Sequence, residues 1–341
     1  MKPDFARRRK KLWQLMRDKG MDSVFTSDPS NVFYYTGYAG MKDDRVFMIA
    51  PLGAKPKILV SSLENDASSK YANVGYLRDR DDFIKHLKKF ECVGYDERSL
   101  SLMLFRLIRR QLKTKLLPAG GLLEMPRIEK DAFEIAKIRE AIEITRKALA
   151  RTAASLAGKT EKQVSDGMEI EYRKFGASES FETIVCSGTH SSFIHHKPDH
   201  TITKANAIML IDTGCVLDGY CTDITRTFFG KLDSRQRRIY EDVKAIHDEL
   251  IAYVIPGVEY KDLEDLQKEL FSRNGYKVMH GLGHGIGLNV HESTGKVIKE
   301  NVVMTVEPGV YVKGQYGFRV EDMILVKKNG AEILSGSIPI L

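Results

Sequence analysis

The segment NAIMLIDTGCVLDGYCTDITRTFFG, residues 206–230, carries a β-hairpin pattern that strongly limits how the rest of the chain folds. Apolar and β-branched residues flank an Asp-Gly pair, residues 218–219, which favours a two-residue turn. With that turn, Asp212 lies opposite Thr225, and Asp223 lies opposite Gly214, which is two residues from Asp212. The two aspartates therefore lie on the same face of the hairpin. Diagonal neighbours of this kind are roughly 7–8 Å apart at the backbone, so the two carboxylates can meet at one point.

Two ionised carboxylates aimed at one buried position repel each other, so one must be protonated or a cation must lie between them. Asp212 follows an apolar run, residues 208–211, where an unpaired carboxylate is costly to bury. A metal ion is the simpler explanation of the pair.

A second pair of acids lies in VEPGVYVKGQYGFRVEDMILV, residues 306–326. Apolar strands flank a turn that contains Gly314, and Glu307 and Glu321 are equidistant from this glycine. An odd-length loop centred on Gly314 places the two glutamates directly opposite each other on one face. A different loop register offsets them, and this alternative stays open at the level of the sequence.

Between the two hairpins lies the glycine-rich segment HGLGHGIGLNVHE, residues 280–292. Its imidazoles suit Mn, Co, Fe or Zn, and His284 is the candidate ligand. One imidazole and four carboxylates carry too much negative charge for a single divalent ion with an open position, whereas two ions about 3.5–4 Å apart share them well. The sequence therefore predicts a dinuclear metal site with five ligands, which are Asp212, Asp223, His284, Glu307 and Glu321.

The order Asp, Asp, His, Glu, Glu within IDTG, DITRTFFG, GHGIG, EPG and RVED resembles the M24 metallopeptidases, the family of aminopeptidase P, prolidase and methionine aminopeptidase. The similarity is greatest to the prolidase and aminopeptidase P branch. The resemblance implies that Asp223 and Glu321 are the two bridging carboxylates. It also implies that the family's two non-ligand histidines correspond to His195 and His291.

The resemblance further implies an α+β fold, with a pita-bread catalytic domain preceded by a smaller α/β amino-terminal domain of the creatinase type. A breaker cluster, Leu-Pro-Ala-Gly-Gly, puts the predicted boundary between residues 1–120 and residues 121–341. Helices are predicted over residues 63–71 and, with an interruption or kink, over residues 127–156.

The function implied by the resemblance is hydrolysis of Xaa-Pro bonds by a metal-dependent exopeptidase, a prolidase acting on dipeptides. The alternatives are an Xaa-Pro aminopeptidase acting on longer peptides, a methionine aminopeptidase, and an inactive binding protein of the same fold. Glu307 is the expected proton acceptor for the attacking water, while His195 and His291 are expected to hydrogen-bond the substrate and the developing negative charge. The expected cofactors are two divalent ions, Mn or Co, with Zn and Fe as alternatives.

The expected partner is a small peptide with proline at its second position, and the family resemblance implies a homodimer. The net charge of +7 does not predict nucleic-acid binding, because Lys and Arg are spread along the chain with acids between them. There is no apolar stretch of about 18 residues, and no secretory signal is recognised, so we expect no membrane span and a cytoplasmic location.

Three further residues have two interpretations each. His280 is interpreted as an ordinary polar residue of a glycine-rich turn rather than a site residue. Arg319 shares strand parity with Glu321, so it either pairs with a ligand carboxylate or belongs to the surface. Lys296 is either a solvated loop residue or the group that binds the carboxylate of the proline product; it follows HESTG, where many members of the family have a proline instead.

Overall fold

The computed structural model describes residues 2–40, 46–61, 73–77 and 80–338. The chain forms two compact units, Met1–Arg127 and Ile128–Leu341. The predicted boundary after residue 120 falls at the start of a helix, Gly120–Ile128, which ends at this division. Its Leu123 and Pro126 carbonyls accept hydrogen bonds from tyrosines of the first unit, which explains why the helix belongs to that unit.

The first unit is an α/β structure. Its described helices are α1 (Phe5–Asp18), α2 (Pro29–Thr36), α3 (Arg80–Leu87), α4 (Leu102–Gln111) and α5 (Gly120–Ile128). Its described strands are β1 (Ser23–Thr26), β2 (Phe47–Pro51), β3 (Lys57–Ser61), β4 (Val74–Leu77), β5 (Cys92–Tyr95) and β6 (Lys115–Pro118). They form one six-stranded mixed sheet in the order β4-β3-β2-β1-β5-β6. The helix predicted over residues 63–71 lies outside the described residues.

Three of the four described helices of the second unit begin at a side-chain cap, formed by Asp131, Thr160 and Asp233. The four helices are α6 (Ala132–Ala153), α7 (Glu161–Lys174), α8 (Ser234–Tyr253) and α9 (Tyr260–Arg273). The Asp131 side chain caps α6 by accepting a hydrogen bond from the Glu134 amide, and the Glu134 carboxylate in turn accepts one from the Asp131 amide. This capping box accounts for the predicted interruption between residues 127 and 156, because α5 ends at Ile128 and α6 starts afresh.

The strands of the second unit carry the candidate site. They are β7 (Ser178–Glu179), β8 (Ile184–Ser187), β9 (Met209–Thr213), β10 (Cys215–Leu217), β11 (Tyr220–Cys221), β12 (Ile224–Phe228), β13 (Val303–Val306), β14 (Gly309–Val312), β15 (Tyr316–Arg319), β16 (Asp322–Lys327) and β17 (Gly330–Ile333). They form small sheets in the orders β11-β10-β7, β12-β9-β8, β13-β16-β17 and β14-β15.

Apolar side chains from α8, α9 and strands β13 to β16 form a hydrophobic core in this unit. Phe318, which is fully buried, packs against Tyr240 of α8 with ring centroids 5.6 Å apart. Burying side chains of this size dominates the stability of such a core and holds the second hairpin against the helices. Within the described part of the chain, no helix is both long and apolar enough to cross a membrane.

Candidate metal centre

The first hairpin has the predicted register. Asp212 pairs with Thr225, and Leu217 pairs with Tyr220, on either side of the Asp-Gly turn. Both turn residues have positive φ, 49° for Asp218 and 88° for Gly219, as a type I′ turn requires. The prediction that local turn chemistry brings the two aspartates to one face is confirmed.

Gly214 lies between β9 and β10, and the hairpin register places it opposite Asp223. A Cβ atom at this position would lie 1.8 Å from the carbonyl oxygen of Thr222 and 2.4 Å from the Ser180 hydroxyl. The backbone segments that contain Gly214 and Thr222 can therefore approach this closely only because residue 214 has no side chain. Their close approach lies directly beside the two aspartates.

The second hairpin also has the predicted register. Val306 pairs with Asp322, and Gly309 pairs with Arg319, so Glu307 and Glu321 lie opposite each other between these pairs. The loop is centred on Gly314, whose φ of 70° is in the left-handed region. The alternative register, in which the two glutamates are offset, is excluded.

The two hairpins and the glycine-rich segment bring the predicted ligands together. Ligand atoms of Asp223, His284 and Glu321 all lie within 4.8 Å of one another. The Nε2 atom of His284 is 3.4 Å from Asp223 Oδ2 and 3.7 Å from Glu307 Oε1. Nδ1 of His284 lies 3.1 Å from the Gly285 carbonyl oxygen and can donate its proton there, which leaves the Nε2 lone pair to face the carboxylates.

Burial and mutual repulsion change the proton affinity of these groups. Burial raises the pKa of Asp223 well above its usual value, and the charge of Glu321 adds to the effect. The pKa of Glu321 rises well above its usual value for the same reason, with Glu307 as the neighbouring charge. Burial also raises the pKa of Glu307 to about 7 and lowers that of His284 to about 4. The imidazole is therefore neutral at pH 7 and can act as a metal ligand.

Two carboxylate oxygens at this point are unsatisfied. Asp212 Oδ1 and Asp223 Oδ1 are buried and have no hydrogen-bond partner among the described residues. A buried carboxylate oxygen without a partner is costly in a folded protein, and a cation removes that cost. The oxygen-rich set with one imidazole fits divalent metal ions, which suits the predicted cofactors.

Arg319 is buried, with 2% of its surface exposed, and contacts the candidate site directly. Its Nη2 atom donates a hydrogen bond to Asp212 Oδ2 at 2.5 Å, and its Nε atom donates one to the Thr225 hydroxyl at 3.0 Å. Arg319 therefore forms an ion pair with a candidate ligand carboxylate, and the alternative interpretation, a surface position, is wrong. The pair directs one oxygen of Asp212 toward Arg319 and leaves Oδ1 for a cation.

The sequence interpretation missed His280 and Tyr311. His280 is not a simple turn residue, because its Nδ1 atom lies 3.8 Å from Glu307 Oε2 and its Nε2 atom lies 3.0 Å from the Tyr311 hydroxyl. Tyr311 in turn accepts a hydrogen bond from Arg319 Nη1 at 3.0 Å. Burial lowers the pKa of His280 to about 4, so its ring is neutral at pH 7. Tyr311 shares strand parity with Glu307, a signal that could have identified it.

The two predicted non-ligand histidines are exposed and lie beside the cluster. The ring of His291 is 4.2 Å from the ring of His284, centroid to centroid. His195 follows Ile194, whose carbonyl oxygen accepts a hydrogen bond from Arg319 Nη1 at 3.4 Å. After burial and Arg319, the proximity of His195 also contributes to the lowered pKa of the His280 imidazole. The site therefore combines buried candidate ligands with imidazoles that a substrate can reach.

Comparison with known proteins agrees with this geometry. Residues 136–328 match the model of "Metallopeptidase family M24", and residues 8–128 match that of the "Creatinase/Prolidase N-terminal domain". The chain belongs to the M24 metallopeptidases. It is thus a metallopeptidase, as predicted.

Individual relatives cover nearly the whole of this M24 metallopeptidase. An uncharacterised peptidase of Staphylococcus saprophyticus is 32% identical, over 94% of this chain and 97% of the relative. The crystal structure of a prolidase from Pyrococcus horikoshii OT3 has a TM-score of 0.89 at 28% identity and covers 96% of this chain and 98% of that one. That of an X-Pro aminopeptidase from Thermotoga maritima has a TM-score of 0.87 at 30% identity, covering 97% and 98%. The predicted fold, a creatinase-type domain followed by an M24 catalytic domain, is confirmed.

Lys296 of this M24 metallopeptidase is exposed and lines a cleft of about 700 Å³. The cleft is also lined by His284 and by Tyr260, whose hydroxyl donates a hydrogen bond to the Gly283 carbonyl at 2.5 Å. Both interpretations of Lys296, a substrate contact and a solvated loop residue, are compatible with this position.

Proposed function

We propose that this chain is an Xaa-Pro dipeptidase that works with two divalent cations, Mn or Co. The residues that would hold the ions are Asp212, Asp223, His284, Glu307 and Glu321. The observation that supports the proposal best is the pair of buried carboxylate oxygens, on Asp212 and Asp223, that have no partner among the described residues and face the same candidate centre. When bound, the ions supply Lewis-acid polarisation of the scissile carbonyl and increase the acidity of a water molecule.

The proposed proton acceptor is Glu307. With a pKa of about 7 in the metal-free protein, raised by burial, its carboxylate holds a proton more readily than an ordinary glutamate. His280, 3.8 Å from Glu307 Oε2, and Tyr311 form a hydrogen-bonded group that can orient this carboxylate. His195 and His291, both exposed, are proposed to hydrogen-bond the substrate and to stabilise the negative charge that develops on its carbonyl oxygen.

Specificity for Xaa-Pro bonds is proposed by analogy with relatives. Structural neighbours of this chain are named prolidase and X-Pro aminopeptidase. An imide nitrogen has no N–H for strand-like peptide recognition, so such an enzyme must recognise the free ends of the substrate and the proline ring. Because the aminopeptidase from Thermotoga maritima is 30% identical, Xaa-Pro aminopeptidase activity on longer peptides is the second candidate function.

The experiment that separates these functions measures hydrolysis of Gly-Pro and Met-Pro beside tripeptides of the form Xaa-Pro-Yaa. Metal-stripped enzyme is reloaded with Mn, Co, Zn or Fe in turn. We expect dipeptide turnover to return with Mn or Co, and tripeptides to be poor substrates. Preferred cleavage of tripeptides would establish the aminopeptidase instead, and full turnover in rigorously metal-free enzyme would refute both. We also propose the homodimer that the family resemblance implies, and sedimentation equilibrium on the same samples tests it.

The substrate carboxylate offers a sharper test of dipeptide recognition. We expect Lys296→Ala to weaken cleavage of Xaa-Pro but not of its carboxyl-amidated form, because an ammonium group favours the charged end only. Lys299→Ala is the matched control, since Lys299 is exposed nearby but pairs with Glu129 at 3.1 Å. If Lys296→Ala affects both substrates equally, or neither, Lys296 does not bind the carboxylate.

A further inference from the structure

A second group of side chains that could bind a metal lies in the second unit and shares no residue with the candidate metal centre. It is formed by Glu161, His190, His196 and Asp199, and their ligand atoms all lie within 4.8 Å of one another. Glu161 is the first residue of α7, His190 lies in a short 3-10 helix, and the other two follow in the next loop. The geometry points to a further divalent-cation site of the zinc type, which we call the His190 site.

The contacts within the His190 site converge on one carboxylate. Glu161 is 0% exposed; its Oε1 atom is 3.0 Å from His190 Nδ1, and its Oε2 atom is 2.7 Å from His196 Nε2. The two imidazole rings lie 4.2 Å apart, centroid to centroid. The backbone amide of Ser187 also donates to Glu161 Oε1, at 2.6 Å. One imidazole from the 3-10 helix and one from the following loop thus each direct a ring nitrogen at the same buried carboxylate.

The donor set matches the chemistry of a zinc-type ion. Two imidazole nitrogens and two carboxylates are a common tetrahedral combination for Zn²⁺, and the two negative charges of Glu161 and Asp199 balance the charge of the ion. Without a cation, His190 and His196 must each direct a proton to the same carboxylate. A bound ion replaces those protons and accepts the lone pairs of the same nitrogen atoms.

The His190 site is accessible to solvent and lies beside His195 in the sequence, so an ion bound there would affect the candidate metal centre. The side chains of His190 and His196 are 23% and 13% exposed, so an ion can reach them from solvent. His195, the proposed substrate-contacting histidine, lies between them in the sequence and directly precedes His196. A bound ion would tie the chain on both sides of His195 to the start of α7 and restrict its position.

The opposing explanation is a metal-free cap. A glutamate in the first turn of a helix is stabilised by the helix dipole, and the histidines could serve only to satisfy it. The two explanations differ in metal content, because a cap needs no ion. They also differ in what Zn²⁺ does to the reactivity of these two imidazoles.

The test begins with full-length protein stripped of metal and dialysed against limited Zn²⁺, with bound zinc measured by mass spectrometry of the metal. We expect the double variant His190→Ala, His196→Ala to bind about one equivalent less than wild type while keeping the zinc held elsewhere. His200→Ala, an exposed histidine of the same loop outside the group, is the matched control and should bind as much as wild type. The test compares the bound zinc of the double variant with that of wild type, so its result does not depend on how many ions the candidate metal centre binds.

Equal zinc content in wild type and the double variant overturns the His190 site. If the variant loses all of its zinc because it fails to fold, histidine modification of wild type decides the question. Diethyl pyrocarbonate is applied with and without Zn²⁺, and modified residues are located by peptide mass spectrometry. Protection of His190 and His196 but not of His200 supports the site, whereas equal modification of all three with and without Zn²⁺ overturns it.

Discussion

Arg319 illustrates how one buried charge organises the metal centre. Its guanidinium bonds Asp212, Thr225 and Tyr311 from three different nitrogen atoms. A lysine keeps the positive charge but has one nitrogen on a flexible stem, so it cannot make the three bonds in this geometry. Arg319 therefore positions Asp212 and Tyr311 rather than merely neutralising a carboxylate.

We expect Arg319→Lys to lower kcat/KM by about 10–100-fold, the usual effect of removing a residue that orients a metal ligand. Arg146→Lys is the control, because Arg146 forms a two-point pair with Glu143 at a partly exposed position. Steady-state kinetics on a dipeptide substrate, with metal content measured in parallel, provide the check. Unchanged kinetics in Arg319→Lys would mean that the charge alone is what the site requires.

Glu321 should be unusual in that neutralising it stabilises the metal-free protein. Glu321 is 2% exposed, and its pKa is raised well above the usual value by burial and by Glu307. In Glu321→Gln the amide oxygen can still accept a hydrogen bond from the Thr225 hydroxyl, which lies 2.8 Å from Oε2. The substitution removes the cost of either burying the ionised carboxylate or protonating it on folding. We expect a higher melting temperature without metal, lower metal content and no metal-dependent hydrolysis. Glu332→Gln, at an exposed pair with Arg139, should change none of these.

The first hairpin depends on the absence of a side chain at residue 214, and this can be tested directly. A Cβ atom on Gly214 would meet the Thr222 carbonyl, a backbone atom that cannot rotate away. We expect Gly214→Ala to separate β9 and β10 from their partners, with a loss of stability of at least about 2 kcal/mol and a large loss of bound metal.

The control for this substitution is Gly167→Ala within α7. A Cβ atom there has nothing within 4 Å, and alanine is the better helix former, so we expect a gain of about 0.5–1 kcal/mol. Urea denaturation of both variants, with metal content, measures the difference. Wild-type stability and wild-type metal content in Gly214→Ala would show that the hairpin tolerates a wider separation.

For the protein as a whole, the burial of the acids of the candidate metal centre, together with their mutual repulsion, predicts that the metal-free protein becomes less stable as pH rises. The pKa of Glu307 is 4.5 in a free side chain and about 7 in the folded protein because of burial. Below pH 4.5, Glu307 is protonated in both the folded and the unfolded protein, so it does not affect stability. Between pH 4.5 and about 7, Glu307 ionises in the unfolded protein but stays protonated in the folded one. The free energy of unfolding therefore falls by about 3 kcal/mol by pH 7 and above. Asp223 and Glu321 act in the same direction.

We therefore expect the melting temperature of metal-free protein to fall between pH 4.5 and pH 7, and Mn²⁺ or Co²⁺ to restore it most strongly at the higher pH. Cation binding requires deprotonated carboxylates, so the stabilisation by metal grows as pH rises. Calorimetry at several pH values with and without metal makes the measurement. A metal-free melting temperature that rises steadily over this range would contradict the prediction.

The parts of the fold and of the site that could be predicted are those governed by local chemistry. The Asp-Gly turn determines the register that pairs Asp212 with Thr225, and Gly314 determines the register that opposes Glu307 and Glu321. In each case the relevant residues are joined by a few residues of chain, so turn type and strand alternation suffice. The same holds for α6, which starts where Asp131 caps it.

The contacts between distant segments could not be predicted in this way. Arg319 and Asp212 are 107 residues apart in the chain, and Glu161 and His196 are 35 apart. Strand parity left two interpretations of Arg319, an ion pair with a ligand carboxylate and a surface position. Nothing in the sequence indicated that His280 lies near Glu307 or that His196 contacts Glu161. Which side chains meet across such separations depends on how helices and sheets pack to bury their apolar faces, and that packing follows from the three-dimensional arrangement rather than from any local pattern.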